Sequence, residues 1–213
     1  MQSQKILEMI QQGRIEELEN QLRDEIYQEE LKKKPGAKQR YSAMKKYFGY
    51  VKTSRAICMK PYEIEFEGHA MTSFCNSYSL ALTKEDCGSI DKFTEDDGTY
   101  PDVGRMIKRS GKAETVNLCD IIAEAKSAGY KLTKSEVNGE TFIIRYKDTY
   151  YRLGLVDATY SIINDGGSAT IYHSGDKFSP LTIENDIGVC LVLPVKRDDD
   201  FINANNITVI DLV

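Results

Sequence analysis

Residues 178–195 read FSPLTIENDIGVCLVLPV and contain the most apolar strand that the sequence predicts. A turn at Ser179-Pro180 precedes a strand predicted over residues 181–184, and a second strand is predicted over residues 189–195. The polar residues between them favour a short hairpin connection. Because a proline removes one backbone donor from a sheet ladder, Pro194 marks the point where the second strand is expected to end.

Much of the chain on either side of this hairpin also has the pattern of β-strands. In the C-terminal half, the pattern predicts three more strands and two turns, at residues 141–146, 150–156 and 169–173 and at residues 147–148 and 165–167. In the N-terminal half, Ile64 and Phe66 alternate with glutamates and are followed by Gly68. Residues 56–83 are therefore typical of a hairpin.

Three other segments have helical patterns. The first helix is predicted over residues 4–34, where Gly13 interrupts the apolar spacing and Pro35 follows the end. A second helix is predicted over residues 38–48, and a third over residues 116–128 with Asn117 as its N-cap. The order of helices, strands, helix and strands predicts an α+β fold with a mainly antiparallel sheet.

Charge is segregated along the chain. Residues 1–31 carry eight acids and three bases, whereas residues 32–62 carry ten bases and no acid. The total net charge of −5 therefore leaves −15 outside the basic block. Such a block either attracts a polyanion locally or is a solvated cationic helix, and the charges alone do not separate these two interpretations.

Composition and cysteine usage indicate the broad class of the protein. The chain has 41% hydrophobic and 29% charged residues, which is ordinary for a globular protein, and no apolar run long enough for a membrane span. Its N-terminus lacks the cationic flank and apolar core of a secretory signal. Its five cysteines form no C-x-x-C pair, so we expect buried thiols in a reducing cytoplasm.

Motifs for catalysis, metals or cofactors are not found. The sequence has no G-x-S-x-G, Walker or H-E-x-x-H pattern, and its two histidines, His69 and His173, are too few for a three-histidine site. The acidic residues 95–97 do not fit a calcium loop, because its first ligand would be Phe93. Residues 198–200 are interpreted as a solvated terminus. We therefore expect no enzyme activity, no metal and no cofactor.

Three short segments together resemble the bacterial DNA polymerase sliding clamp, the processivity β subunit. CNSYSLAL at 75–82 is similar to the family's T-D-G-H-R-L-A-[VL] strand, and DGTYPDVGRMI at 97–107 is similar to its [EDN]-G-x-[FY]-P-D-Y-x-R-[VL]-[IL] segment. SPLTIENDIGVCLVLPVK, at 179–196, looks like the C-terminal S-P-[VL]-x-I…V-[VL]-[ML]-P-[MV]-[RK] of the family. The resemblance implies clamp-like antiparallel sheets with helices on one face, after an N-terminal helical segment.

In the clamp family these three segments line a hydrophobic groove for a short peptide carried by replication and repair proteins. Transferred position by position, the resemblance implies a partner-peptide groove formed by Ser77, Leu80, Pro101, Arg105, Met106, Leu191, Leu193, Pro194 and Val195. Apolar walls with fixed prolines suit such a pocket, because each buried leucine or phenylalanine contributes roughly 1.5–3 kcal/mol. The polar handle at the rim would be Arg105.

The resemblance also implies a DNA-facing set of cations: Lys38, Arg40, Lys45, Lys46, Lys108, Arg109 and Lys112. It divides the chain into N-terminal helices (1–48), a shortened clamp-like half (49–107) and a C-terminal clamp-like half (108–213). In this comparison the first domain of a bacterial clamp has no counterpart among these 213 residues, and Tyr78-Ser79 stands at the family's His-Arg.

Three hypotheses remain open from the sequence. The first is a shortened clamp-like protein of phage or mobile-element origin that acts in replication and binds partner peptides, with contact to double-stranded DNA and a homo-oligomeric ring left open. The second is a clamp-fold module that binds partners without encircling DNA. The third is an unrelated α+β structural or assembly protein, whose amphipathic first helix serves oligomerisation.

Overall fold

The computed structural model describes residues 3–31, 37–50, 60–85, 94, 98–132 and 141–212. The helices in these ranges are α1 (Ser3–Gln11), α2 (Ile15–Leu31), α3 (Ala37–Tyr50), α4 (Val103–Met106), α5 (Leu118–Ser127), α6 (Leu153–Ile163) and α7 (Asp199–Ala204). The strands are β1 (Tyr62–Phe66), β2 (His69–Cys75), β3 (Ser79–Thr83), β4 (Lys112–Val116), β5 (Phe142–Tyr146), β6 (Thr149–Arg152), β7 (Ala169–His173), β8 (Leu181–Asn185), β9 (Gly188–Val192) and β10 (Thr208–Asp211).

The strands form two sheets. The larger sheet has seven strands in the order β1-β2-β3-β9-β8-β7-β4, and every neighbouring pair is antiparallel. In the smaller sheet, β5 pairs with β6 antiparallel and with β10 parallel. The predicted α+β class with a mainly antiparallel sheet is therefore confirmed. The larger sheet takes strands from both of the predicted halves, 49–107 and 108–213, whose boundaries stay a prediction.

Strand β9 lies in the middle of the larger sheet and is buried on both faces. Val189 and Leu191 face an apolar cluster with Leu80 and Leu82. Cys190 and the residues that alternate with this set face the main core, which includes α6. A strand covered on both faces needs apolar side chains at every position, which explains the run GVCLV.

Pro194 lies where the chain passes from one sheet to the other. The ladder of β9 ends at Val192, and the amide of Leu193 then donates to the carbonyl of Tyr78 at 2.9 Å. The amide of Val195 donates to Tyr150 of β6, also at 2.9 Å, and the two residues form an antiparallel bridge. A proline between two donating amides costs neither ladder a hydrogen bond. The predicted strand over 189–195 is thus interrupted at its proline.

Helix α6 is the longest element that the sequence did not predict. The strand predicted over residues 150–156 ends at Arg152, and the next eleven residues are helical. Ten of those eleven are buried, so the helix has no polar face and no amphipathic period. It packs against β3, β9 and α3 on one face of the larger sheet.

Three smaller predictions also need correction. Residues 165–167 connect α6 to β7 and are not a hairpin turn. Residues 198–200 are exposed, as predicted, but they begin α7 rather than form a terminus, and Asp198 caps this helix by accepting from the amide of Phe201 at 2.8 Å. Strand β4 was not predicted. It occupies an edge of the larger sheet, and four of its five residues are at least partly exposed.

The predicted helix break at Gly13 and the predicted helix cap at Asn117 agree with the structure. Gly13 has a φ of +69° between α1 and α2, a backbone conformation that glycine adopts without strain. The side chain of Asn117 caps α5 by accepting from the amide of Cys119 at 3.1 Å. Residues 32–34 of the first predicted helix lie outside the described ranges, as do Lys52, Arg55 and the acidic residues 95–97. No helix within the described ranges is both long and apolar enough to cross a membrane.

A partly buried ion pair joins α3 to α6. The ammonium of Lys46 lies 2.6 Å from a carboxylate oxygen of Asp157, whose side chain is 5% exposed. The phenol of Tyr130 lies 3.3 Å from the other oxygen of the same carboxylate. The two helices also share an apolar interface, in which Tyr41 and Met44 are buried.

His173 is buried at the end of β7. Its Nδ1 accepts from the amide of Gly175 at 3.0 Å, and the rings of Tyr146 and Tyr151 stand edge-on to the imidazole at 5.1 and 6.3 Å. Burial lowers the pKa of His173 below its ordinary value of 6.5, the positive charge of Lys147 lowers it further, and Asp176 opposes both. The folded protein therefore favours the neutral imidazole.

Acidification is expected to destabilise the fold through His173. The pKa is lower in the folded state than in the unfolded state, so this stability is present above pH 6.5 and is lost as the pH falls from 6.5 towards the folded pKa. The melting temperature should be lower at pH 5.5 than at pH 7.5. In His173→Gln this difference should shrink, whereas His69→Gln, at an exposed histidine, should retain it. If the melting temperature of His173→Gln fell as much between pH 7.5 and pH 5.5 as that of wild type, His173 would not be the cause of the acid destabilisation.

Candidate functional site

A cavity of about 660 Å³ opens on the face of the larger sheet opposite α6. It brings together seven of the nine predicted groove residues: Ser77, Leu80, Pro101, Arg105, Met106, Leu191 and Leu193. The other lining residues are Cys75, Asn76, Tyr78, Ser79, Lys108 and Pro180. We call this cavity the groove. Its walls come from three segments that are far apart in the sequence.

The floor of the groove is an antiparallel pair from the centre of the sheet. Leu80 of β3 lies opposite Leu191 of β9, and both side chains are almost fully buried. Cross-strand partners on one face of a sheet lie close enough to form a continuous surface. The floor is therefore apolar and rigid, because each residue is also held by the sheet's hydrogen bonds.

One wall is formed by Pro101 and α4. This segment is anchored by Tyr100, whose ring lies 4.8 Å from that of Tyr62 and whose phenol lies 3.3 Å from the carbonyl of Ser73. Val103, in the first turn of α4, is buried in the same apolar cluster. These contacts hold α4 in place, and Met106 of this helix lines the groove.

Three large side chains of the groove are open to solvent. Met106 is 46% exposed, the aromatic Tyr78 is 42% exposed and Leu193 is 38% exposed. Together with the partly exposed Pro101, they place apolar surface at the mouth of a concave cavity. Exposed apolar surface in a concavity is typical of a binding site rather than of ordinary protein surface.

The turn between β2 and β3 forms the opposite wall and is held by Asn76. Its side-chain oxygen accepts from the amides of Tyr78 at 2.8 Å and Ser79 at 2.7 Å. The carbonyl of Ser79 in turn accepts from the phenol of Tyr47 at 3.0 Å. Burial raises the pKa of Tyr47 well above its ordinary value, so this phenol stays protonated and keeps its donor. The turn is therefore tied to α3 beneath it.

The rim of the groove carries charged groups. Arg105 is largely exposed and lies 2.9 Å from Asp102, the residue that caps α4. Lys108 lines the groove at its edge, and its backbone carbonyl accepts from Thr182 at 3.0 Å. An apolar floor with charged groups at the edge is the arrangement seen in peptide and protein interfaces.

Pro194 and Val195, the remaining two predicted groove residues, line a second cavity of about 190 Å³. The lining of this second cavity is Tyr78, Arg152, Leu155, Leu193, Pro194, Val195, Lys196 and Arg197. Tyr78 and Leu193 belong to both cavities. The second cavity is therefore an extension of the groove along the end of β9.

The seven predicted DNA-facing cations have different surroundings in the structure. Several of them contact carboxylates, in the pairs Arg40–Glu85 (2.7 Å), Lys46–Asp157 (2.6 Å), Arg109–Glu184 (2.6 Å), Arg109–Glu67 (2.5 Å) and Lys112–Glu114 (3.0 Å). Hydrogen bonds to Glu184 and then Glu67 raise the pKa of Arg109. Lys108 lines the groove.

The two other cations of this set, Lys38 and Lys45, are exposed on α3. The ammonium of Lys45 lies 4.3 Å from the centre of the Tyr41 ring. The two positions are seven residues apart, so they lie on the same face of the helix.

The sequence did not identify several residues that line the groove or the second cavity. Pro180 belongs to the S-P-[VL] pattern that was matched, so its position was available from the sequence. Tyr78 was read only as a departure from the family pattern, although it lines both cavities. Arg152 had no signal, because it lies at the junction of β6 and the unpredicted α6. Within the described part of the chain, no group of three or more His, Cys, Asp or Glu side chains could hold a metal ion.

No family model matches this chain, and no curated protein matches it. Among solved structures, the fold is similar to the crystal structure of a candidate DNA polymerase III beta subunit from Eubacterium rectale ATCC 33656, with 12% sequence identity and a TM-score of 0.49. The match covers 75% of this chain and 64% of that chain, so this chain spans less than two thirds of the length of that protein. At this identity and TM-score, the function of that protein does not transfer to this chain.

Proposed function

We propose that this chain is a sliding-clamp-like protein without catalytic activity, which binds a short apolar peptide of a replication or repair partner in the groove. The observation that carries the proposal is the convergence of three distant segments on one cavity. The resemblance in these segments implies nine groove residues, and seven of them line the same space of about 660 Å³.

The shape and chemistry of the groove support a peptide ligand. Its floor is the buried pair Leu80 and Leu191, and its mouth carries the exposed apolar side chains of Met106 and Leu193. A leucine or phenylalanine buried there would contribute roughly 1.5–3 kcal/mol. Because the walls are fixed by Asn76 and Tyr100, little ordering of the protein would accompany binding.

Fluorescence anisotropy with a labelled dodecapeptide tests the proposal. The peptide carries a Leu-Phe anchor in a neutral frame of serine, glycine and alanine, and its control has both anchor residues replaced by serine. We expect saturable binding of the anchored peptide and none of the control. Equal signals from the two peptides would exclude the groove as a site for apolar anchors.

The predicted contact with double-stranded DNA rests on the charge pattern and is tested separately. If phosphates contact α3, the double variant Lys38→Glu/Lys45→Glu should lower the affinity for a 30-base-pair duplex roughly tenfold at low salt. Lys46 is left unchanged because it is paired with Asp157. The control is Lys126→Glu/Lys131→Glu, which changes the net charge equally at exposed lysines elsewhere. Equal duplex affinities of the two double variants would exclude α3 as a DNA-contacting face.

A further inference from the structure

The second cavity beside the groove has a distinct charge. Three of its eight lining residues are cations, Arg152, Lys196 and Arg197, and none is a carboxylate. Its other walls are apolar or aromatic, from Tyr78 and Leu155 to the segment Leu193 to Val195. We call this cavity the cationic slot. It is unlike the groove, whose lining is mainly apolar with charges at its edge.

An aromatic ring lies beside each of these cations. The guanidinium of Arg152 lies 5.7 Å from the centre of the Tyr78 ring, and that of Arg197 lies 4.3 Å from the ring of Phe201. The ammonium of Lys196 lies 5.8 Å from the ring of Phe178. In the described structure, neither Lys196 nor Arg197 forms an ion pair with a carboxylate. Rings orient a cation without neutralising its charge.

Asp198 and Asp199, which follow Arg197 in the sequence, have hydrogen-bond partners outside the slot. Asp198 accepts from the amide of Phe201 at 2.8 Å, and Asp199 accepts from the phenol of Tyr150. None of the three aspartates at 198–200 lines the slot. Arg197 donates from one terminal nitrogen to the carbonyl of Lys196 at 3.2 Å. Its Nε is buried and has no hydrogen-bond partner among the described residues.

We propose that the cationic slot binds an acidic side chain of the same peptide that occupies the groove, so that the partner is a peptide with an apolar anchor and a nearby Asp or Glu. This inference rests on the proposed function. The two cavities share Tyr78 and Leu193, so a peptide crossing Leu193 reaches both. An extended chain advances about 3.3 Å per residue, which places the acidic residue within a few positions of the anchor.

A peptide carboxylate fits this slot better than a nucleic-acid backbone. A phosphate backbone is recognised by cations spread along a track, because its charges recur at every nucleotide. Here the three cations surround one small volume, and apolar side chains form much of the remaining wall. A single carboxylate can accept from a guanidinium and an ammonium together, in a site that Leu155 and Pro194 partly shield from water.

Paired peptides test the proposal on the full chain. Each labelled dodecapeptide carries the Leu-Phe anchor and one glutamate, placed one to four residues before or after the anchor, and has a twin with glutamine at that position. At 100 mM salt, at least one glutamate peptide should bind about fivefold more tightly than its twin. Lys196→Gln and Arg197→Gln should each reduce this ratio, while Lys126→Gln, outside both cavities, should leave it unchanged. Lys196 is exposed, so its variant is expected to fold normally.

The outcomes separate the two proposals. If glutamate and glutamine twins bind equally at every position, the slot assignment is wrong and the groove stands. If no anchored peptide binds, the proposed function fails and the slot assignment fails with it. If a twelve-nucleotide single strand binds and loses affinity in Lys196→Gln, while the peptide ratio does not change in that variant, the slot serves phosphates and the proposal is overturned.

Discussion

The variant Leu193→Asp is expected to lower the affinity for the Leu-Phe peptide at least roughly a hundredfold. Leu193 belongs to both cavities and is the exposed apolar residue between them. The substitution removes an apolar wall and places a carboxylate that must be desolvated when the peptide binds. Its side chain is 38% exposed in the free protein, so the fold should tolerate the change. Anisotropy titration of wild type and variant measures the difference.

Two further variants separate loss of the groove from other causes. Leu193→Asn removes the same apolar surface without adding charge, and it should weaken binding nearly as much. Ile26→Asp places a carboxylate at an exposed apolar residue of α2, outside both cavities, and it should bind like wild type. Wild-type affinity in Leu193→Asp, with an unchanged thermal melt, would show that the peptide does not use this groove.

The variant Lys46→Met is expected to lower the free energy of unfolding by about 3 kcal/mol. It keeps the apolar stem of the side chain and removes the charge that lies 2.6 Å from Asp157. The carboxylate of Asp157 would remain buried with only the phenol of Tyr130, at 3.3 Å, as a described side-chain partner. Urea denaturation measures the change. Lys45→Met, at the exposed neighbouring position, is the matched control.

A second substitution should rescue this variant. In Lys46→Met/Asp157→Asn no unpaired charge is left in the interface, and the amide can still bond the phenol of Tyr130. The double variant should therefore recover to within about 1 kcal/mol of wild type. If Lys46→Met and Lys45→Met unfold at the same urea concentration, the pair does not fix α3 to α6 as described.

This ion pair also changes how the basic segment is understood. From the sequence, Lys45 and Lys46 are equivalent members of a cationic helix face. In the structure, Lys46 contacts the carboxylate of Asp157, which is 111 positions later in the sequence, while Lys45 is exposed. A charge count along the sequence cannot distinguish them, because the partner is supplied by α6, a helix that the sequence pattern did not predict.

The sequence predicted those parts of the fold that local chemistry controls. Gly13, Asn117 and the alternation in β1 each act over a few residues, and the structure has a helix break, a helix cap and the first strand of a hairpin at those places. Helix α6 escaped prediction because it is surrounded by protein on all sides. A helix is recognised in a sequence by apolar residues that recur on its buried face between polar residues on its exposed face. A helix with no exposed face lacks this pattern.

The groove shows the same division. The three segments that carry its residues follow from the resemblance of residues 75–82, 97–107 and 179–196 to clamp sequences, which needs no structure. The structure was needed to show that Leu80 lies opposite Leu191, that Pro194 lines a second cavity, and that Arg152 lies there with Lys196 and Arg197. Strand order and helix packing set these contacts between residues far apart in the chain, and no local pattern encodes them.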